Sequence, residues 1–428
     1  MSWLIKEALI VPMAGEKTWF TGDIAVIDDK IAAVGENLSP EYNDLKKIPA
    51  KGFIAMPGLI NAHTHGSMNL FRGCGDDLPL KEWLEERIWP LEDRLTPELA
   101  RTGAMSAILE MIRGGTTAFC DSYMFMDEMA KAVLESGIRA NLSRGLVDTD
   151  GGGAKRLKEG RRFLENWKGQ GGGRIRCWLS PHAPYTCSDG FLREIKDAAV
   201  SLGVGLNIHV AETKKEFNDS VVQYDLTPVE RLEKLEIFGD VPVVAAHCVW
   251  LGEDDRRILA EKKVAVVHNP QSNLKLGSGI AMVPALLAAG VQVALGTDGA
   301  ASNNNLDMWE ELRAAALLHK GERHNPTVLP AKTALEMACS AGARVIGFPE
   351  CGTIEKDKKA DIILVNLDQP NMRPLLDPVS QLVYSAGVQN VDTVMVDGRL
   401  IMRKGEMMTL DEEKILWEVQ KAAEDLLS

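Results

Sequence analysis

A small set of side chains, each ending a short apolar run, has the types and spacing to hold a divalent metal and activate water. His63-Thr64-His65 puts two imidazoles on one face of extended chain, because side chains there alternate with a period of two. His209 and Asp298 end two other such runs. Three neutral imidazoles and one carboxylate suit a borderline cation, Zn2+ or Fe2+, better than Mg2+ or Ca2+, which prefer oxygen. A His-x-His pair alone is a weak signal; the company of His209 and Asp298 makes it a candidate metal site.

Asp298 stands in Gly296-Thr297-Asp298-Gly299. A water polarised by a metal needs a base beside it, and a carboxylate with one oxygen on the metal has the other free to take the proton. The alternative is a structural Asp capping the region of Ser302. Glu212, three residues past His209, falls where a proton-shuttling acid and base would stand. Its alternative is a solvated loop residue beside Lys214 and Lys215. His247, after Val-Pro-Val-Val-Ala-Ala, could orient the attacking water or add a ligand; the alternative is a core histidine donating to a backbone carbonyl. His268 also ends an apolar run, with no role assigned to it. His319 and His324 fall on a helix and its following loop and read as packing or surface residues.

Eight β-branched and aliphatic runs must position these groups: Ile54–Ile60 before His63 and His65, Thr116–Cys120 before Asp121, Arg139–Ser143 before Arg144, and Ile175–Ser180 before His182. Gly205–Ile208, Val241–Ala246, Lys263–Val267 and Val291–Thr297 precede His209, His247, His268 and Asp298. Helical periodicity separates them, which is the alternation of a parallel sheet. Eight such units most simply close into an α/β fold of the (β/α)8 TIM-barrel type, with its active site at the C-terminal strand ends. The fourth run, Arg176-Cys177-Trp178-Leu179-Ser180, lacks a lysine that could bridge two metals, so one metal is favoured.

The chain has 428 residues, more than one barrel of roughly 250 needs. The remainder sits at both ends as short strands and turns, with Asp397-Gly398 as a hairpin signal. The expected organisation is a small β-sandwich domain from residues 1–54 and 356–410, a barrel over 55–355 and a tail helix over 411–428. Ile415, Leu416, Val419, Ala422 and Ala423 would form the packed face of that helix. A net charge of −13 argues against a nucleic-acid surface, which needs clustered Lys and Arg. Lys6 and Glu7 interrupt the opening apolar stretch, and no run of about 18 apolar residues would span a membrane. Seven cysteines without a CxxC pair read as reduced thiols of a cytoplasmic protein. A homo-oligomer is left open, with the tail helix offering an apolar face.

Longer stretches carry a family resemblance. PGLINAHTHGSMNLFRG, HVAET around His209 and Glu212, AAHCVWL around His247, LGTDGAASNNNLDMWEE and the closing KKADIILVNLD resemble the amidohydrolase superfamily over nearly the whole chain. Within it the chain most resembles the 5-methylthioadenosine/S-adenosylhomocysteine deaminases. Asp357, where a Gly is usual, is a departure expected to affect only a turn. The resemblance implies one divalent metal, Zn2+ or Fe2+, on His63, His65, His209 and Asp298, with Glu212 relaying protons to a purine and His247 assisting the attacking water. It also implies substrate contacts from Trp83, Glu92 (ribose), His182 (purine), and Arg144 and Arg156 (an amino-acid carboxylate). The implied reaction is hydrolytic deamination of an adenosine-type nucleoside. Rival substrates on the same scaffold are guanine, a pterin or a triazine, flat heterocycles that would not need Arg144, Arg156, Glu92 or His182.

Overall fold

The computed structural model describes residues 2–427, so Met1 and Ser428 of the expected domain ranges lie outside it. Eight parallel strands pair in chain order: Leu59–Thr64, Thr116–Tyr123, Arg139–Leu146, Ile175–Pro181, Leu206–Val210, Val243–His247, Ala265–His268 and Val293–Leu295. Most of their residues are buried, as expected of parallel strands covered on both faces. Helices such as Pro97–Arg113, Met126–Ser136 and Asp189–Leu202 surround them.

The ring closes through residues just past the last strand. The Asp298 N–H donates to the His63 carbonyl at 2.9 Å. Thr297 N–H donates to Asn61 Oδ1 at 3.0 Å, and Thr64 Oγ1 to the Asp298 carbonyl at 3.1 Å. Gly296 is required for this approach, since a Cβ there would lie 2.7 Å from the His63 nitrogen.

The chain ends form one continuous nine-stranded sheet with its own core, including Trp3, Ile5, Ile24, Val26, Ile362 and Leu364. The two ends join where Phe53–Pro57 pairs antiparallel with Ile362–Asn366. This corrects the sequence reading of Ile54–Ile60 as one barrel strand and of residue 54 as the boundary. The run is two strands: Phe53–Pro57 belongs to the small sheet and Leu59–Thr64 to the barrel. Gly58 separates them at a point where a Cβ would sit 2.1 Å from Thr117 side-chain atoms. The expected strand Ala8–Val11 is the far end of a longer strand, Ser2–Ile10. Asp357 does form a turn, with φ of 69°. In the tail helix, Glu412–Leu427, Ile415, Ala422 and Leu426 are buried while Leu416 is 53% exposed, so Leu416 leaves the expected packed face.

A buried ion cluster ties the small sheet to the barrel. Arg139, at the start of the third barrel strand, makes two bonds to Asp361, at 2.8 and 3.0 Å, and one to Asp397 at 2.6 Å. Arg139 and Asp361 side chains are 0% and 1% exposed. Burial alone would raise the Asp361 pKa, but the guanidinium wins and lowers it. Removing one member of such a pair strands the other, at a cost of about 3–5 kcal/mol. Arg139→Met should therefore lower the thermal unfolding midpoint clearly, and an unchanged midpoint would contradict the role given to this cluster.

Candidate active site

The eight strands deliver their C-terminal ends to one place, and there the histidines meet. His63 and His65 come from the first strand and the residue after it, His209 from the fifth, His247 from the sixth, and Asp298 from just past the eighth. His63 Nε2 and His65 Nε2 lie 3.5 and 3.3 Å from Asp298 Oδ1. His209 Nε2 lies 3.3 Å from His65 Nε2. Among the described residues two overlapping groups of possible ligands result: His63, His65 and Asp298, and His63, His209 and His247. The residues alone left His247 as a water-orienting group or a further ligand, and the family resemblance gave it to the water; the geometry places it within ligand range of His63 and His209.

The rings are oriented from behind. His65 Nδ1 faces the Ser122 carbonyl at 2.6 Å and His209 Nδ1 the His182 carbonyl at 2.7 Å. A carbonyl only accepts, so each Nδ1 carries the proton and each Nε2 turns a lone pair into the cluster, the tautomer a metal requires. His63 is buried with no hydrogen-bond partner at either ring nitrogen. A buried imidazole without a partner is costly, and a cation at the centre would satisfy it. Burial lowers the His63 pKa to about 4 and, with the neighbouring rings, pulls that of His209 well down. The donor set therefore fits a borderline divalent cation.

Asp298 differs from expectation. Its Oδ1 faces the imidazoles, but Oδ2 is not free: Ser272 Oγ and Ser302 Oγ lie 2.7 and 2.8 Å away. The contact with Ser302 expected of a structural Asp exists, alongside the ligand-like approach of Oδ1. Burial would raise this carboxyl, but the surrounding imidazoles hold it well below the usual range. Sequence reasoning named the Ser302 region but missed Ser272, because a serine on a helix carries no signal of the acid it faces.

Glu212 is buried, and burial raises its pKa, the direction an acid needs to carry a proton near neutrality. Oε1 is 3.5 Å from Ser278 Oγ and Oε2 is 3.9 Å from His247 Nε2. His247 Nδ1 is 2.9 Å from Asn273 Oδ1. His182 lies beside the cluster, its ring centroid 4.9 Å from that of His209. Glu92 is half-buried and accepts from Tyr123 Oη at 2.6 Å; the Tyr123 ring is 6.2 Å from His65. Trp83 is buried near the start of the same helical segment.

The two arginines are not brought into the cluster. Arg156 makes two 2.6 Å bonds to Asp150, and Arg144 Nε lies 3.4 Å from Glu159. Each already has an acidic partner, which the sequence reading did not foresee. His268 packs against His319, with ring centroids 5.4 Å apart, and both are buried; His324 is exposed. Among the described residues no helix is long and apolar enough to cross a membrane.

The description "amidohydrolase family" matches residues 54–401. A 5-methylthioadenosine/S-adenosylhomocysteine deaminase of Dictyoglomus thermophilum is 52% identical, with 89% of each chain covered. A 5'-deoxyadenosine deaminase of Methanosarcina mazei is 48% identical over 99% of this chain and 98% of that one. Among solved structures, a zinc-bound adenosine deaminase from Xanthomonas campestris superposes with a TM-score of 0.94 at 34% identity, covering 99% of this chain and 98% of that one.

Asp298→Asn and His209→Asn should each drop bound metal, measured by elemental analysis, well below the about one ion per chain of a single site. His182→Asn should keep it, since only the backbone carbonyl of that residue serves His209. Full metal content in both ligand variants would show that the ion is held elsewhere.

Proposed function

The chain belongs to the amidohydrolase family, and on that premise we propose that it is a metal-dependent hydrolytic deaminase converting an adenosine-type nucleoside to its inosine counterpart and ammonia. The observation that carries the reading is the convergence of three imidazole Nε2 atoms and Asp298 Oδ1 beside Glu212, a buried carboxyl whose pKa burial raises. Relatives about half identical to this chain are named for such substrates.

His63, His65, His209 and Asp298 would hold the metal, Zn2+ by preference and Fe2+ as the alternative. When bound there, a divalent cation lowers the pKa of water toward neutrality. Glu212 Oε atoms then hold a proton and deliver it to the purine ring nitrogen as the carbon bearing the exocyclic amine is attacked. His247, with Nδ1 fixed by Asn273, presents Nε2 toward Glu212 and the attacking water. Asp298 would take the water proton and return it to the departing amine, its carboxylate oriented by the Ser272 and Ser302 hydroxyls at Oδ2. Glu92 would hold the ribose hydroxyls with Trp83 near the nucleoside, and His182 would meet the purine.

A second reading concerns the 5' substituent. Arg144 and Arg156 would meet a substrate carboxylate only by sharing or leaving Glu159 and Asp150. That pairing favours uncharged 5' groups, as in 5'-methylthioadenosine or 5'-deoxyadenosine, over S-adenosylhomocysteine.

Two measurements test this. A deamination screen of the metal-loaded protein should release ammonia from the adenosine-type compounds, with kcat/KM for 5'-methylthioadenosine above that for S-adenosylhomocysteine. Reaction only with guanine or a pterin would leave the metal set standing and remove the substrate roles of Glu92, His182 and the arginines. Glu212→Gln should lower kcat by about 10²–10⁴-fold with metal retained, and full activity in that variant would end its role as proton carrier.

A further inference from the structure

Glu212 is held tightly by its backbone and loosely by its head. Its carboxylate has only long contacts, 3.5 Å to Ser278 Oγ and 3.9 Å to His247 Nε2. Its reach into the site is therefore set by where the main chain puts its Cα–Cβ bond. That main chain has just left the fifth strand, Leu206–Val210, through Ala211 with φ of 51°, a left-handed conformation uncommon for a residue with a Cβ. The Ala211 carbonyl is fixed by the N–H groups of Val249 and Trp250 from the next strand's loop, at 3.0 and 2.9 Å. The N–H groups of Ala211 and Glu212 have left the ladder and need acceptors from elsewhere.

Both find the same side chain. Ala211 N–H donates to Glu216 Oε1 at 2.9 Å and Glu212 N–H to Glu216 Oε2 at 2.8 Å. Glu216 is buried and sits in the first turn of the helix Lys214–Tyr224, capped by Thr213. Thr213-x-x-Glu216 reads as a capping box, in which the glutamate bonds the N–H of the cap residue itself. Thr227-x-x-Glu230 in the same chain does so, with Thr227 N–H donating to Glu230 Oε2 at 2.8 Å. Glu216 instead passes over Thr213 and takes the two preceding N–H groups. One signature has two different uses.

We infer that Glu216 is a positioning residue for the deamination: its two carboxylate oxygens clamp the Ala211 and Glu212 N–H groups and so aim the Glu212 side chain. The inference rests on the proton-carrying role proposed for Glu212. Only a carboxylate fills this position, because glutamine offers one acceptor and turns an NH2 toward the second N–H. Glu216 acts through Glu212, so its loss falls on kcat and leaves KM and metal content near those of the wild type.

The test uses the metal-loaded enzyme with 5'-methylthioadenosine. Glu216→Gln should lower kcat about tenfold to a hundredfold, the scale of a misplaced catalytic group, with KM within about twofold. Glu216→Asp, one methylene short and able to reach one N–H, should fall between Gln and wild type, and serves if the Gln variant does not fold. Thr213→Ala removes the cap but not the clamp, so it should lower the melting temperature and leave kcat intact. In a Glu212→Gln background, Glu216→Gln should cost nothing further, because residues acting as a unit are not additive.

A Glu216→Gln enzyme with wild-type kcat beside an inactive Glu212→Gln overturns this inference alone. An equal fold-loss in both backgrounds also overturns it, as does Thr213→Ala losing as much kcat as Glu216→Gln, because either would mark a stability effect. A fully active Glu212→Gln overturns the Glu212 reading and this inference with it.

Discussion

Closure of the barrel is the constraint on which the site depends. His63 and Asp298 are separated by most of the chain, and a single backbone hydrogen bond, from Asp298 N–H to the His63 carbonyl, brings them to one point. The surrounding contacts make that closure specific. Asn61 serves the last strand with both ends of its amide, bonding Thr297 N–H and Thr297 Oγ1. Gly296 supplies the space, since any larger residue would drive its Cβ into the His63 main chain. A ring left open by one residue would still bury its apolar strands, but it would part the imidazoles of the first strand from their carboxylate. Packing of the barrel and assembly of the imidazole–carboxylate cluster thus depend on the same closure.

Once closed, the cluster faces the cost of holding several imidazoles and acids away from water. The chain meets it by directing the outer edge of each group. Ser122 and His182 carbonyls take the Nδ1 protons of His65 and His209, Asn273 takes that of His247, and two serines hold Asp298 Oδ2. Each of these bonds leaves the inner atom as an acceptor, so the acceptors accumulate around one volume. His63, which has no such partner, is the clearest sign that the volume is meant for a cation. The electrostatics point the same way: burial favours the neutral forms of His63 and His209, and the surrounding imidazoles keep Asp298 charged against its burial, the states in which such groups bind metal.

What could be read from the residues alone follows from what is local. The strand-to-polar endings, the His-x-His pair and the loop glutamate are short-range patterns, and their places in the fold come directly from strand periodicity and the rule that barrel sites lie at C-terminal strand ends. What escaped was set by contacts remote in sequence. The division of Ile54–Ile60 between two sheets depends on Thr117 pressing against Gly58, which no pattern within the run reveals. Leu416 was placed by helical periodicity on a packed face, but the surface opposing that helix decides which of its residues are covered. Ser272 and Asn273 are ordinary helix residues until the loops place them against Asp298 and His247. The pairing of Arg144 with Glu159 and of Arg156 with Asp150 is closer in sequence, yet it was hidden by reading the arginines only for what a substrate might need.

Three of the chemically important strand ends share a backbone feature that connects folding to function. His247 and Asp298 have φ of 70° and 65°, Cys248 follows at 48°, and Ala211 precedes Glu212 at 51°. Each such conformation in a residue other than glycine costs about 1–3 kcal/mol and persists only where the surroundings enforce it. The enforcing contacts are visible: Cys248 N–H bonds the Val210 carbonyl, Val249 and Trp250 bond that of Ala211, and Asp298 N–H bonds that of His63. In extended chain, successive side chains point to opposite sides of the barrel wall, so a strand that simply continued would turn every second group away from the centre. A left-handed residue at the strand end breaks the alternation and reorients the groups that follow. Glycine would adopt it more cheaply, but at two of these positions the side chain itself must be histidine or aspartate. The strain is therefore inseparable from the chemistry, and hydrogen bonds between neighbouring strand-end loops, together with those of the Glu216 carboxylate within the fifth strand's own loop, offset it.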